Sequence, residues 1–279
     1  MRVRKHFAAD SIIVTCEHGG NRIPPAYRRW FLGADALLAS HRGYDPGALA
    51  MGRALAAVTG TPLIATTISR LLVEVNRSPH NPRVFSAPMR AAPPAVRRAA
   101  FERYYVPHHA AVADAVQQAL DTGARVLHVG SHSFTPSLDG VVRNTDIGLL
   151  YDPRRPLEAA FCDTWLAALE ARPVGRVRRN YPYVGTSDGL PTLLRRRYAP
   201  DDYLGVEIEV NQRHPLGDGA AWRRLRRDVA AALADALANT PGWRAAAVVS
   251  RPSAAPGSAR RSRAATPPDG SRAATRAGR

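Results

Sequence analysis

The sequence predicts an α/β protein, a mixed sheet with helices on both faces. Three observations carry this. Short runs rich in β-branched and other apolar residues recur along the chain and read as buried strands. Longer segments between them repeat apolar residues at helical spacing. The 279 residues are 45% hydrophobic, which supplies one sizeable core. Strands mixed with amphipathic helices bury their apolar faces by stacking in layers.

The first strand is expected over 11–17, where Ser11-Ile12-Ile13-Val14-Thr15 runs into Cys16-Glu17-His18-Gly19-Gly20-Asn21. The glycines open a loop and leave His18 at the strand's C-terminal edge, where open α/β sheets bind ligands. A helix is expected over 46–58, on Leu49, Leu55 and Val58, with Asp45-Pro46 as its start. Strands are expected at 62–68 and 71–76. Segment 95–121 carries a helical stripe of Phe101, Tyr105, Val112, Val116 and Leu120, with a break or kink expected at Pro107. The strand at 125–131 leads into Ser131-His132-Ser133, a second histidine at a strand end. Strands at 145–151, 174–179 and 203–210 follow. Helices at 156–171 (Leu157, Phe161, Trp165, Leu169) and 219–238 (Trp222, Leu225, Val229, Leu233, Leu237) lie among them. From about residue 246 Pro, Ser, Ala, Gly and Arg dominate. Such a segment buries too little surface to offset its ordering entropy. The expected organisation is one domain over 1–245 and a disordered Arg/Pro/Ala-rich tail over 246–279.

The net charge of +16 invites a nucleic-acid reading. Against it, Lys5 is the only lysine, and the abundant arginine and alanine fit a GC-rich codon bias. Part of the excess sits in the tail, where Arg251, Arg260, Arg261, Arg263, Arg272, Arg276 and Arg279 face only Asp269. Aromatics do not interleave with the basic runs as a stacking platform requires. No apolar stretch approaches the roughly 20 residues that span a bilayer. No apolar run follows the charged N-terminus as in a signal peptide, so the expected location is the cytoplasm. Cys16 and Cys162 make neither a disulfide framework nor a four-cysteine zinc site.

Polar groups stand out of place in five segments: 17–20, 41–48, 69–78, 130–136 and 205–211. Glu207 and Glu209 share one face of an apolar strand, which is costly unless metal, arginine or substrate lies nearby. His18 and His132, each at a strand end, are candidate metal ligands, since neutral imidazole binds zinc. The bland alternative is a hydrogen-bonded histidine. Ser131 or Ser133 as a nucleophile lacks the elbow motif of serine hydrolases. Trp165, Trp222 and Phe161 read as core, His108-His109 as an improbable metal pair, and Cys16 as a small buried hydrophobe.

The phrases CEHGGNRIP, HRGYDPGA, SRLLVEVNRS, HVGSHSFTP, RNTDIGLLYDP, RRNYPYVG and YLGVEIEVNQ run in order across roughly residues 11–213. As a set they resemble the N-formylglutamate amidohydrolase family, distantly related to zinc carboxypeptidases and to the aspartoacylase and succinylglutamate desuccinylase group. The resemblance implies a phosphorylase/hydrolase-like three-layer fold and zinc-assisted hydrolysis of an amide. It implies His18 and His132 as zinc ligands. The carboxypeptidases' glutamate three residues after the first histidine is Asn21 here. Asp45 is the substitute, in competition with an ordinary helix-start role before Pro46. His41 is a lesser candidate, and Glu17, next to His18 in an extended run, is expected to point away.

Asn76-Arg77 resembles the pair that holds the substrate carboxylate in the carboxypeptidase group. Arginine suits that task because it grips a carboxylate with two parallel hydrogen bonds; the alternative is a surface ion pair. Arg70, Arg143 and Arg179, with Asn180, sit in other matching segments and are candidates for a second carboxylate or the scissile carbonyl. Glu209 is the expected general base and Glu207 its alternative or orienting partner; the competing role is an arginine-paired structural acid. The expected activity is zinc-dependent hydrolysis of an N-formyl or other N-acyl amino acid, such as N-formylglutamate. The alternatives are a zinc carboxypeptidase or amidase on a peptide or cell-wall fragment, and a non-catalytic basic nucleic-acid-binding protein.

Overall fold

The computed structural model describes residues 10–241 and Trp243. The expected tail at 246–279 lies outside the described residues. In chain order the elements are β1 (Asp10–Cys16), a 3₁₀ turn (Pro25–Phe31), α1 (Asp35–Ala39), α2 (Ala48–Thr59), β2 (Leu63–Ala65), α3 (Ala87–Arg90) and α4 (Pro94–Ala100). A π turn (Phe101–Tyr105) leads to α5 (Val106–Asp121), β3 (Arg125–Phe134), β4 (Ser137–Leu138), β5 (Val141–Val142), β6 (Ile147–Leu150) and α6 (Pro156–Glu170). The last are β7 (Val177–Arg179), α7 (Leu190–Arg197), β8 (Tyr203–Asn211) and α8 (Gly219–Asn239). Among the described residues no helix is long and apolar enough to cross a membrane.

The six-stranded sheet has the order β2-β1-β3-β8-β6-β7, and β4 and β5 form a separate hairpin. Strands β2, β1, β3 and β8 run parallel; β6 reverses against β8, and β7 follows β6. The sheet is therefore mixed, with helices on both sides as expected. On one face α2, α6 and α8 bury Met51, Leu55, Phe161, Trp165 and Leu233 against Val14, Val129, Val206 and Ile208. On the other, α5 and α7 cover Ile13, Val126 and Tyr203 with Val112, Val116, Leu190 and Leu194. Strand β3 is buried at every position, as a central parallel strand between two helical layers must be.

One expectation fails outright. Residues 71–76 form no strand. The chain turns at Ser69, whose carbonyl accepts from Leu72 N, and its apolar side chains serve two local clusters. Leu71 and Leu72 pack with Tyr27, Phe31 and Met89, while Val73 and Val75 pack with Val84 and Tyr105. Periodicity alone cannot separate such a doubly buried loop from a strand. At Pro107 the helical run is not ended; the irregularity expected there takes the form of the π turn just before it. The proline sits in the first turn of α5, directly after the π turn, which loosens the backbone ahead of the missing N–H. Two strands are also shorter than expected, at 63–65 and 177–179.

Candidate active site

Side-chain alternation aims the site. Leu127 and Val129 of β3 face the α2/α6/α8 core, so Gly130 and His132 face the other way. On β8, Leu204, Val206, Ile208 and Val210 face that same core, which turns Glu207 and Glu209 to the side of His132. The β3–β8 register puts Glu209 beside His132 and Glu207 beside Gly130. A Cβ at Gly130 would lie 3.2 Å from Glu207 Cγ, so the bare glycine makes room for this carboxylate.

His18 lies just beyond β1, and its carbonyl accepts from Asp45 N at 2.9 Å. Ser131 and Ser133 fasten the 45–48 segment to β3, donating to the carbonyls of Ala48 (2.9 Å) and Pro46 (2.7 Å). Both hydroxyls are thereby occupied, which removes the nucleophile reading. Asp45 caps no helix, because the residue preceding α2 is Gly47 in the left-handed region (φ 82°). Its Oδ2 instead lies 3.2 Å from His18 Nδ1 and 3.0 Å from His132 Nδ1, and the two Nδ1 atoms are 3.2 Å apart. All three residues are buried.

This trio fits a metal ion. Zinc bonds of about 2.0–2.1 Å in a tetrahedron set ligand atoms about 3.3 Å apart. The tautomers agree as well. His18 Nε2 lies 2.6 Å from Glu74 Oε1, and His132 Nε2 lies 3.1 Å from Glu17 Oε2. A proton on each Nε2, donated to its carboxylate, leaves both Nδ1 lone pairs converging with Asp45 on one point. Arg70 braces the set, donating to Glu74 Oε2 from Nε (2.7 Å) and to Asp45 Oδ1 from Nη1 (3.2 Å).

Charge is strongly coupled here. Burial pushes Glu74 up, but Arg70 and His18 outweigh it and hold the carboxyl well below the usual range. Burial likewise opposes ionisation of Asp45, and His18, His132 and Arg70 win, again far below the ordinary value. Burial would lower His132, yet its contacts with Asp45 and Glu17 raise it well above 6.5. Glu209 goes the other way: burial, with Asp45 and Glu207 nearby, outweighs His132 and Arg70 and pushes it up to about 8. Its Oε2 is buried and has no hydrogen-bond partner. Such a carboxyl holds a proton near neutral pH and can give it up.

The trio opens onto a cleft of about 440 Å³ also lined by His41, Arg42, Arg70, Asn76, Arg77, Glu207 and Glu209. Asn76 is clamped from two sides: its Nδ2 donates to Glu207 Oε1 (3.2 Å) and its Oδ1 accepts from Leu190 N (2.7 Å). Arg77 donates to the Asp188 carbonyl, and Tyr105 OH fastens its backbone by donating to the Arg77 carbonyl at 2.6 Å. No carboxylate among the described residues pairs with the Arg77 guanidinium, so it is not the surface ion pair of the bland reading.

Three other candidates stand elsewhere. Arg143 is buried behind the cleft wall, donating to Tyr183 OH at 3.1 Å. Arg179 is exposed and pairs with Asp163 of α6 at 2.8 Å. Asn180 accepts the Tyr151 and Gly185 amides on its Oδ1 and shapes a loop. The expectation that Arg179 and Asn180 reach the site fails. Arg179 ends β7 on the face of Val177, which packs into the α2/α6/α8 core, so it faces away from His132 and Glu209, and Asn180 spends its Oδ1 on two backbone amides.

Sequence reasoning gave no role to Glu74 and turned Glu17 away. Glu17 does diverge from His18, but the β1–β3 register, with Ile13 beside His128 and Thr15 beside Gly130, carries it to His132. The signal for Glu74 was an acid inside Leu71-Leu72-Val73-Glu74-Val75, four residues after Arg70.

The family model for N-formylglutamate amidohydrolase matches residues 10–214. The crystal structure of gene product Atu2144 from Agrobacterium tumefaciens is 32% identical, with a TM-score of 0.67, over 81% of this chain and 91% of that one. An N-formylglutamate amidohydrolase from Ralstonia eutropha JMP134 shares the fold at 20% identity and a TM-score of 0.59, over 83% of this chain and 95% of that one. Among curated proteins no sequence matches. The matched span holds β1 to β8 and every residue of the site, and on that ground the chain belongs to the N-formylglutamate amidohydrolase family.

Proposed function

We propose that this chain is a zinc-dependent hydrolase of the amide bond in a small N-acyl amino acid, with N-formylglutamate as the reference substrate. The observation that carries the reading is the convergence of His18 Nδ1, Asp45 Oδ2 and His132 Nδ1 within 3.0–3.2 Å, beside a buried carboxyl with an unpartnered oxygen. Two imidazoles and one carboxylate suit zinc. When bound there, zinc supplies Lewis-acid polarisation of the scissile carbonyl.

The remaining chemistry belongs to side chains. In its ionised form, which a cation at the trio would favour, Glu209 takes a proton from the attacking water as the water oxygen bonds to the acyl carbon. It then delivers that proton to the amide nitrogen as the C–N bond breaks, giving a carboxylic acid and an amine, which exchange the remaining proton to leave a carboxylate and an ammonium. Arg77 offers its guanidinium to the substrate carboxylate. Asn76 holds Glu207 in place beside His132, so Glu207 orients rather than transfers the proton. The two cysteines are free and buried, which suits a reducing cytoplasm, the location we propose.

Elemental analysis of the untagged full chain, in parallel with His132→Ala, tests the metal. About one zinc per wild-type chain, lost in the variant, together with release of glutamate from N-formylglutamate, is the expected result. A folded wild type that stays metal-free after incubation with zinc refutes the reading.

A further inference from the structure

A further pair of residues stands behind the trio. On β1 the face that carries Ile13 also carries Thr15 and, directly after the strand, Glu17. Opposite it α5 presents Val112 and Val116, which pack on Ile13. His108 lies one turn before Val112 on the same stripe, so a histidine meets Glu17 where an apolar pair would continue the pattern. His108 Nε2 lies 3.4 Å from Glu17 Oε1, and His132 Nε2 lies 3.1 Å from Glu17 Oε2.

Glu17 and His108 are both buried. Among the described residues these two imidazoles are the partners of the Glu17 carboxylate. Burial opposes ionisation of Glu17, but the hydrogen bonds from His108 and His132 outweigh it and hold the carboxyl well below the usual range. Without His108, one oxygen of this buried carboxylate would be left unpaired, and the group would be free to turn about its last bond. His132 Nε2 would then have a rival acceptor in Glu207 Oε1, 3.5 Å away.

The start of α5 is built against the site at more than this one point. His109 Nε2 donates to the Val75 carbonyl at 2.7 Å, and its ring stacks on Tyr105 with centroids 4.0 Å apart. Tyr105 OH in turn holds the Arg77 carbonyl. The 74–77 segment and Glu17 are thus anchored on one helix end, directly after a π turn, and such turns are frequent at functional sites.

We propose that His108 is a positioning residue of the metal centre, acting through Glu17. By filling Oε1 it keeps Oε2 aimed at the His132 Nε2–H, and the His132 Nδ1 lone pair stays turned to the ion. The inference rests on the metal-dependent reading above and extends it to a residue that touches neither ion nor substrate.

The test is zinc affinity of the full chain, measured against a competing chelator. Asparagine ends at the place of Nδ1 and falls short of Glu17, whereas glutamine carries its amide at the place of Nε2. His108→Asn should therefore bind zinc about tenfold more weakly, the low end for an outer partner of a ligand, and His108→Gln should bind it nearly as the wild type does. In a Glu17→Gln background His108→Asn should cost nothing further. Equal affinity in the wild type and His108→Asn overturns the inference, as does a loss undiminished by Glu17→Gln. Nitrogen NMR of the zinc-loaded wild type needs no variant to fold: His108 and His132 should each carry a proton on Nε2, and a bare Nε2 on either overturns the inference. Variants that bind zinc in the expected order, in a chain that does not hydrolyse N-formylglutamate, support the role of His108 and refute the hydrolytic reading. A wild type that takes up no zinc refutes both.

Discussion

Glu209→Gln separates catalysis from stability, and the two should move in opposite directions. The substitution keeps the shape of the side chain and removes its proton chemistry. Loss of a positioned general base costs about 10²–10⁴ in turnover, so kcat should fall by that factor with zinc content intact. The stability effect follows from the carboxyl's position at about 8, against an ordinary 4.5. Below pH 4.5 both the folded and the unfolded chain carry the proton. Above it the unfolded chain ionises while the folded chain holds its proton until about pH 8, so stability falls across that window. At about 1.4 kcal/mol per pH unit, the loss reaches about 5 kcal/mol, an upper bound because buried sites relax and admit water. The glutamine cannot ionise and escapes the loss. Its new amide costs about 1–3 kcal/mol if left unpaired, but equally at every pH. The assay is urea unfolding of the chelator-treated wild type and variant at several pH values from 4.5 to 9. The variant should gain on the wild type as pH rises. A stability difference that does not change with pH refutes the electrostatic account, and unchanged turnover removes Glu209 as the base.

Glu74→Gln weakens the partner that orients His18, and zinc affinity measured against a competing chelator should fall about 10–100-fold; an unchanged affinity would show that Arg70 and Asp45 suffice. Arg77→Lys replaces a planar fork by a point charge, so KM for the N-acyl amino acid should rise about tenfold or more with kcat little changed. An unaltered KM would place the carboxylate elsewhere in the cleft. Zinc affinity should climb with pH, by up to about tenfold per pH unit, because His132 is held protonated well above 6.5 and must release that proton to bind. Titrations at pH 6 and 8 that agree would contradict the charge state assigned to His132.

The parts of the site legible in the sequence are polar residues out of place in or just after apolar strands. His18 follows an apolar run closed by glycines; His132, expected just past a strand end, lies within β3, two residues before its last residue Phe134. Glu207 and Glu209 are legible because a period of two exposes acids on a face that should be apolar. Glu17 is different in kind. Its partner depends on which strand lies beside β1 and in what register, and neither is written in residues 11–17. Arg179 misleads for a related reason, since nothing local to β7 reveals which of its faces packs against α6. Glu74 is hidden by a loop whose buried valines and leucines imitate a strand. Local chemistry is therefore readable, while pairing between distant segments is not.

The charges explain why these features occur together. Glu17, Asp45, Glu74 and Glu209 are each no more than 6% exposed, and Glu207 lies against them. Among the described residues Arg70 is the one arginine that bridges two of these acids, Asp45 and Glu74. Buried carboxylates at this density repel one another, which favours a proton on His132 and pushes the Glu209 carboxyl up to about 8. A divalent cation at His18, Asp45 and His132 would displace the His132 proton and would draw Glu209 towards ionisation. Under the proposed function, the acid excess that weakens the metal-free fold would be the condition for binding the ion and for having a base beside it. Neutralising Glu209 should strengthen the empty protein and disable the loaded one, whereas neutralising Glu74 should weaken metal binding without removing the base.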